Sequence, residues 1–179
     1  MNKVLLLYST TDGHTVHISE RIQSVLEKTG HEVKLLPILS VSSIELEDAD
    51  KVVIGASIRY GRHKKEVIDF VLNNKAVLES KISVFFTVNV VARKAAKNTP
   101  KTNPYLKKFL SNVSWKPDKL AVFAGKIDYQ KYGVLDRLMI RLIMFMTNGP
   151  TNPNSVVEFT DWEAVENFGR VISELQGNK

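Results

Sequence analysis

Val4-Leu5-Leu6-Leu7-Tyr8-Ser9-Thr10-Thr11-Asp12-Gly13-His14-Thr15 decides how the rest of the chain is read. An apolar run, Val4 to Leu7, ends in a cluster of hydroxyls around one glycine. A helical pattern follows at once, with Ile18, Ile22, Val25 and Leu26 at i, i+4, i+7 and i+8. A buried strand therefore passes through a hydroxyl-rich loop into a helix N-terminus. Free amides and the positive end of the helix dipole meet there, which suits a phosphate. Ser9, Thr10, Thr11 and Thr15 offer side-chain donors, and Gly13 lets an anion approach the backbone. The competing use of the same hydroxyls is to cap the helix. The loop lacks the lysine of GxxxxGK[ST] and the three glycines of GxGxxG. It suits a phosphate monoester better than a triphosphate with its magnesium.

Downstream, short apolar runs alternate with helical patterns, which predicts a parallel sheet covered on both faces. Strands are expected at Lys3–Tyr8, His31–Leu36, Lys51–Ala56, Ile82–Val88 and Leu120–Ala124. Helices are expected at His14–Thr29, stopped by Gly30, and from Lys64 to Leu78 with Val67, Phe70 and Val71 inward. Tyr105, Leu106, Phe109, Leu110 and Val113 mark another helix face. The last helix, Asp161 to Leu175, carries the stripe Trp162, Val165, Phe168 and Ile172, with Thr160 and Glu163 placed as a capping box. Ser42–Leu46 reads as a short helix or turn, and Asn89–Pro104 as a loop. Five strands in this order predict one doubly wound α/β domain over residues 1–179, strand order 2-1-3-4-5. Its ligand site lies at the carboxyl ends of the strands beside the first.

Two further loops should converge there. Ser57-Ile58-Arg59-Tyr60-Gly61-Arg62 pairs an aromatic with a glycine, a combination that stacks on a flat ring and offers backbone contact. Asn89-Val90-Val91-Ala92-Arg93-Lys94 sets small side chains beside an amide, fit for the edge of a heterocycle. Its Arg93 and Lys94 can neutralise an anion or a reduced ring. Together the three loops describe a pocket for a phosphorylated flat heterocycle.

Between the fifth strand and the last helix lies an insertion, residues 125–159, far longer than a simple connection. It contains Val134-Leu135-Asp136-Arg137-Leu138-Met139-Ile140-Arg141-Leu142-Ile143-Met144-Phe145-Met146, stopped by Asn148-Gly149-Pro150. Arg137 and Arg141 share one narrow face. Three uses fit such a helix: lying in a membrane interface, covering an apolar ligand, or packing as a buried or dimer-contact helix. Val156–Phe159 is expected to return briefly to the sheet.

Composition narrows the function classes. The chain has 179 residues, 44% hydrophobic, and no cysteine, which removes disulfides, thiolate metal sites and cysteine nucleophiles. No apolar run reaches the roughly 18 to 20 residues of a membrane span, and Met1-Asn2-Lys3 leads straight into a strand, with no signal-peptide pattern. The net charge of +6 favours acidic small molecules or an anionic surface. The basic residues lack the aromatic interleaving of a nucleic-acid platform. His14, His17, His31 and His63 have no metal-ligand spacing. No Ser-His-Asp set and no general acid or base can be singled out.

On the three loops, on Asp136-Arg137-Leu138-Met139-Ile140 and on Thr160-Asp161-Trp162-Glu163, the chain resembles flavodoxin-fold proteins. It is most similar to the bacterial menaquinone-dependent protoporphyrinogen oxidases of the haem pathway. The resemblance implies FMN, its phosphate on Ser9 to Thr15 and its ring between Ser57, Arg59, Tyr60 and Gly61 on one side and Asn89, Val90, Val91, Ala92 and Arg93 on the other. It implies oxidation of protoporphyrinogen IX in three two-electron steps, with electrons passed to a membrane quinone. Arg59, Arg93 and Lys94 are the expected partners of the tetrapyrrole propionates. The Val134–Met146 helix is the expected contact with the cytoplasmic side of the inner membrane. Ordinary flavodoxins commonly carry Thr-Gly-Asn-Thr where Asp12-Gly13-His14-Thr15 stands, so the Asp12 carboxylate should cap the helix or point away. Rival readings are a flavodoxin-type electron carrier, a nicotinamide-dependent quinone reductase and a flavin-free adaptor.

Overall fold

The computed structural model describes residues 2–177. Strands β1 (Lys3–Ser9), β2 (Glu32–Pro37), β3 (Lys51–Ser57), β4 (Ile82–Asn89) and β5 (Lys119–Ala124) form a five-stranded parallel sheet in the order β2-β1-β3-β4-β5. Alternate side chains of each strand enter opposite cores. Val4, Leu6, Val53, Val84 and Phe86 meet Ile18, Ile22 and Leu26 of α1 (His14–Lys28) and Val165, Phe168 and Ile172 of α7 (Trp162–Glu174). Leu5, Leu7, Val52, Ile54 and Phe85 face the other way, toward α2 (Ser43–Asp48), α3 (Lys65–Asn73), α4 (Lys75–Ser80) and α5 (Pro104–Val113). The doubly wound architecture is the one the strand–helix alternation predicts.

Gly55 holds the middle of the sheet together by having no side chain. A Cβ there would stand 2.1 Å from Cζ of Phe86, whose ring lies across β3 against Phe123 and Phe168. Lys51 is fully buried and donates to the carbonyls of Ile172 and Ser173, both at 2.9 Å. It thereby satisfies carbonyls left over at the C-terminal end of α7 and ties that helix to β3.

Several local expectations need correction. The helix expected from Lys64 to Leu78 is broken at Asn74, whose side chain donates to Phe70 O at 2.8 Å, giving α3 and α4. The cap of α7 is Asp161, which accepts from Ala164 N at 3.0 Å, and not a Thr160–Glu163 box. The Asn89–Pro104 loop contains two 3-10 turns, Val90–Arg93 and Ala95–Lys97. Val156–Phe159 does not return to the main sheet. Instead β7 (Val156–Glu158) pairs antiparallel with β6 (Lys126–Asp128) as a separate ribbon. With α6 (Val134–Met146) this ribbon makes up the insertion, which has a small core of its own from Ile127, Tyr129, Tyr132 and Met144.

His63 sits 4% exposed between Phe85 and Phe109, with Nε2 3.1 Å from Thr87 Oγ1. Burial lowers its pKa to about 3. The unfolded chain therefore takes up a proton near pH 6.5 that the folded chain refuses until about pH 3. Stability from this group is complete above pH 6.5 and is lost as the pH falls. Chemical denaturation of His63→Leu should lose about 2 to 3 kcal/mol less than the parent between pH 6.5 and 4.5. Equal losses would show that His63 is protonated in the native state.

Candidate active site

The loops after β1, β3 and β4 converge at the carboxyl end of the sheet on a cavity of about 510 Å³. That volume lies in the range of sites for a single drug-sized ligand. Thr10, Thr11, Asp12, His14 and Thr15 line one end, and Ser57 to Gly61 and Asn89 to Val91 line the walls.

The β1–α1 turn is built for an anion. Gly13 has φ 87° and is the N-cap of α1, with no side chain capping the helix. Its own amide is bound to Thr10 Oγ1 at 3.0 Å. The amides of Thr11, Asp12, His14 and Thr15 have no acceptor among the described residues. Thr15 is 1% exposed, yet its Oγ1 has no hydrogen-bond partner. A buried hydroxyl without a partner costs free energy that a ligand oxygen would recover. Asp12 turns away from the turn and accepts from Arg59 Nη1 at 3.0 Å. Ser9 does not line the cavity; its hydroxyl donates to Glu66 Oε1 at 2.6 Å.

His14 reaches across the cavity end to Thr160. The Thr160 hydroxyl donates to Ala124 O at 2.9 Å, so its oxygen accepts from His14 Nε2 at 2.6 Å. That assigns the Nε2–H tautomer. Burial pushes the His14 imidazole below its ordinary pKa.

The β3 loop is a tight hairpin. Arg59 and Arg62 exchange backbone hydrogen bonds at 3.1 and 3.2 Å around Tyr60 and Gly61, whose φ values are 50° and 75°. This matches a two-residue turn with both central residues left-handed. Tyr60 accepts the strain of positive φ, a mark of functional loops. On the opposite wall, Asn89 Oδ1 accepts from Ala92 N at 3.0 Å and holds the following 3-10 turn. Its buried Nδ2 is left without a partner. That donor suits a ring carbonyl, as Thr15 Oγ1 suits a phosphate oxygen.

The insertion roofs the cavity. Met139, Ile140, Ile143 and Met144 of α6 line it, together with Tyr132. Both ends of α6 are strapped to the ligand loops. Near its start, Asp136 accepts from Arg59 Nη2 at 2.5 Å and from the Tyr60 hydroxyl, which raises the Tyr60 pKa. Just past its end, Thr147 receives Arg93 Nη2 on its carbonyl at 3.0 Å and on its hydroxyl at 2.8 Å. Arg137 and Arg141 pin the helix to the carbonyls of Tyr129, Tyr132 and Thr151 and do not form a free basic stripe. The outward side of α6 is apolar too, with Leu135, Leu138, Leu142 and Phe145 exposed in a row.

The structure thus gathers Thr10, Thr11, Asp12, His14, Thr15, Ser57, Arg59, Tyr60, Gly61, Asn89, Val90 and Val91 around one cavity. Gly13 lies in the turn itself. Ala92 is buried behind the wall, Arg93 is occupied at Thr147, and Lys94 is exposed outside the lining. Sequence reading missed Tyr105, Lys126 and Tyr132, whereas covering a ligand was one of the three uses expected of the α6 segment. Only Lys126 carried a signal, its place just past the carboxyl end of β5.

A family model described as a flavodoxin domain matches residues 5–154. Protoporphyrinogen IX dehydrogenase [quinone] from Escherichia coli (strain K12) is 44% identical over 173 residues, 97% of this chain and 96% of that protein. The protein of the same name from Leishmania major is 42% identical over 174 residues, 97% of this chain and 75% of that protein. Among solved structures, an archaeal flavodoxin aligns with TM-score 0.56 at 14% identity, covering 96% of both chains. Flavodoxin 1 from Bacillus cereus aligns with TM-score 0.53 at 15% identity, covering 97% of this chain and 99% of the other. The strand order seen here and the full-length identity agree: the chain belongs to the flavodoxin-domain family and, within it, to the protoporphyrinogen IX dehydrogenases that use quinone.

Proposed function

We propose that this chain oxidises protoporphyrinogen IX to protoporphyrin IX with FMN as cofactor and a quinone as electron acceptor. The observation that carries the reading is the pair of buried, partnerless donors, Thr15 Oγ1 in the β1–α1 turn and Asn89 Nδ2 after β4, on two residues that line one apolar-roofed cavity. A ligand that offers a phosphate oxygen to the turn and a heterocycle edge to the Asn89 wall satisfies both. When bound, FMN supplies reversible two-electron chemistry, so that three turnovers remove six hydrogens from the porphyrinogen and reduce three quinones.

The chain's own residues position and enclose. The amides of Thr11, Asp12, His14 and Thr15 and the Thr15 hydroxyl hold the phosphate, and Ser57–Gly61 and Asn89–Val91 hold the ring. The apolar side chains of α6 exclude water from the reacting face. Arg59 and Arg93, the arginines expected to meet propionates, are already engaged in holding α6. Lys94, exposed just past the same wall, is the one of those three expected cations left for that role.

No helix among the described residues is long and apolar enough to cross a membrane. The outward stripe of α6 instead rests in the lipid surface, bringing the cavity roof to the depth where quinone lies. The chain is then a peripheral protein on the cytoplasmic side of a bacterial inner membrane.

Anaerobic mixing of the FMN-loaded protein with protoporphyrinogen IX tests the redox assignment. The flavin absorbance should bleach and return on adding quinone, and NADH should not bleach it. Bleaching by NADH alone would overturn the assignment.

Cutting the strap at Asp136 has a separate expected effect. Asp136→Ala removes a part-buried ion pair of about 1 kcal/mol. FMN release, followed by fluorescence recovery in dilution, should quicken about fivefold. An unchanged release rate would show that α6 does not retain the cofactor.

A further inference from the structure

The cavity wall holds two permanent cations, Arg59 and Lys126. Arg59 is shared between Asp12 and Asp136 and has little charge left to offer. Lys126 is half-buried, and its side chain makes no hydrogen bond or ion pair among the described residues. Its placement is fixed by the backbone. Gly125, just before it, donates to Asn89 O at 3.2 Å, and Lys126 stands opposite Glu158 in the β6–β7 ribbon. The Glu158 carboxylate is occupied by Trp162 Nε1–H at 2.7 Å.

Hydrogen bonds locate Lys126 along the cavity. Thr160 Oγ1 accepts from His14 Nε2 at 2.6 Å and donates to Ala124 O at 2.9 Å, two residues before Lys126. Lys126, itself in the cavity lining, therefore lies toward the end formed by the β1–α1 turn. That turn has no cation of its own and carries Asp12. Lys64, the basic residue behind it, donates to Thr10 O at 2.6 Å and does not line the cavity. A phosphate monoester bound on amides and one hydroxyl sets up to two negative charges against the roughly half positive charge of one helix N-terminus, so a neighbouring cation adds attraction that the turn alone lacks.

We infer that Lys126 is the counter-charge for the cofactor phosphate, so that the insertion completes the anion site the first turn begins. This rests on the FMN reading given above. It assigns the ribbon a cofactor-binding role in addition to the roof formed by α6. It also explains how a lysine-free turn can hold a dianion with Asp12 beside it.

The test compares two flavins that differ only in the phosphate. Apoprotein is titrated with FMN and with riboflavin, following flavin fluorescence, at low and high salt. Lys126→Gln should weaken FMN about tenfold and leave riboflavin within about twofold, as expected for one charge-assisted contact. Lys126→Arg should keep most of the FMN affinity, and salt should weaken FMN less in Lys126→Gln than in the parent. Equal losses for the two flavins would overturn the inference. So would unchanged FMN affinity with a raised KM for the porphyrinogen, which would make Lys126 a substrate contact. A parent protein that binds neither flavin would overturn the FMN reading itself.

Discussion

Exchanging Thr15 for valine is expected to weaken FMN binding by about ten- to a hundredfold while leaving the apoprotein at least as stable. The two side chains have nearly the same shape, so the core beneath α1 keeps its packing. What is lost is a hydroxyl that is 1% exposed and has no protein partner. In the apoprotein that group is a liability of about 1 to 3 kcal/mol, and valine relieves it. In the loaded protein it donates to an anion, a bond of about 1.5 to 3 kcal/mol. Affinity and apo stability should therefore move in opposite directions. Flavin titration and thermal unfolding of the same apoprotein preparation measure both. A drop in apo stability with unchanged affinity would mean that Thr15 serves the fold and not the ligand.

The double change Leu138→Glu with Leu142→Glu should lower partition onto anionic phospholipid vesicles by at least about a hundredfold. Each leucine that enters the interface contributes about 1.5 to 3 kcal/mol, and a carboxylate replaces that gain with repulsion. The two side chains are 65% and 58% exposed, so the fold does not depend on them. They stand on the side of α6 away from Ile140 and Met144, which line the cavity. Turnover with a short-chain, water-soluble quinone should be unaffected, and turnover with a long-chain quinone in vesicles should collapse. Partition equal to that of the parent, measured by sedimentation with vesicles, would remove α6 as the lipid contact.

The sheet was legible because its signal is local. Val4–Leu7, Val52–Ile54 and Val84–Phe86 are continuous apolar runs that only a sheet covered on both faces can bury, and their order in the chain dictates the switch point beside β1. The turn at Gly13 was legible for the same reason, since its chemistry is written in consecutive residues. Arg59 and Arg93 were not. Each looked like a free cation in a polar loop, and each has a partner 77 or 54 residues away that no spacing rule connects to it. The break at Asn74 and the cap at Asp161 depend on single hydrogen bonds, which periodicity cannot resolve. Tyr132 and Lys126 reach the cavity through a ribbon whose short strands carry no repeat long enough to read.

The outward row on α6, from Leu135 to Phe145, has a consequence for the protein in plain buffer. Without the lipid contact proposed above, that row is left against water, and concentrated, lipid-free protein is expected to form pairs joined through it. If lipid takes the same surface, sedimentation velocity should show those pairs dissolving on dilution and on adding vesicles; pairs that persist with vesicles present would separate the two surfaces.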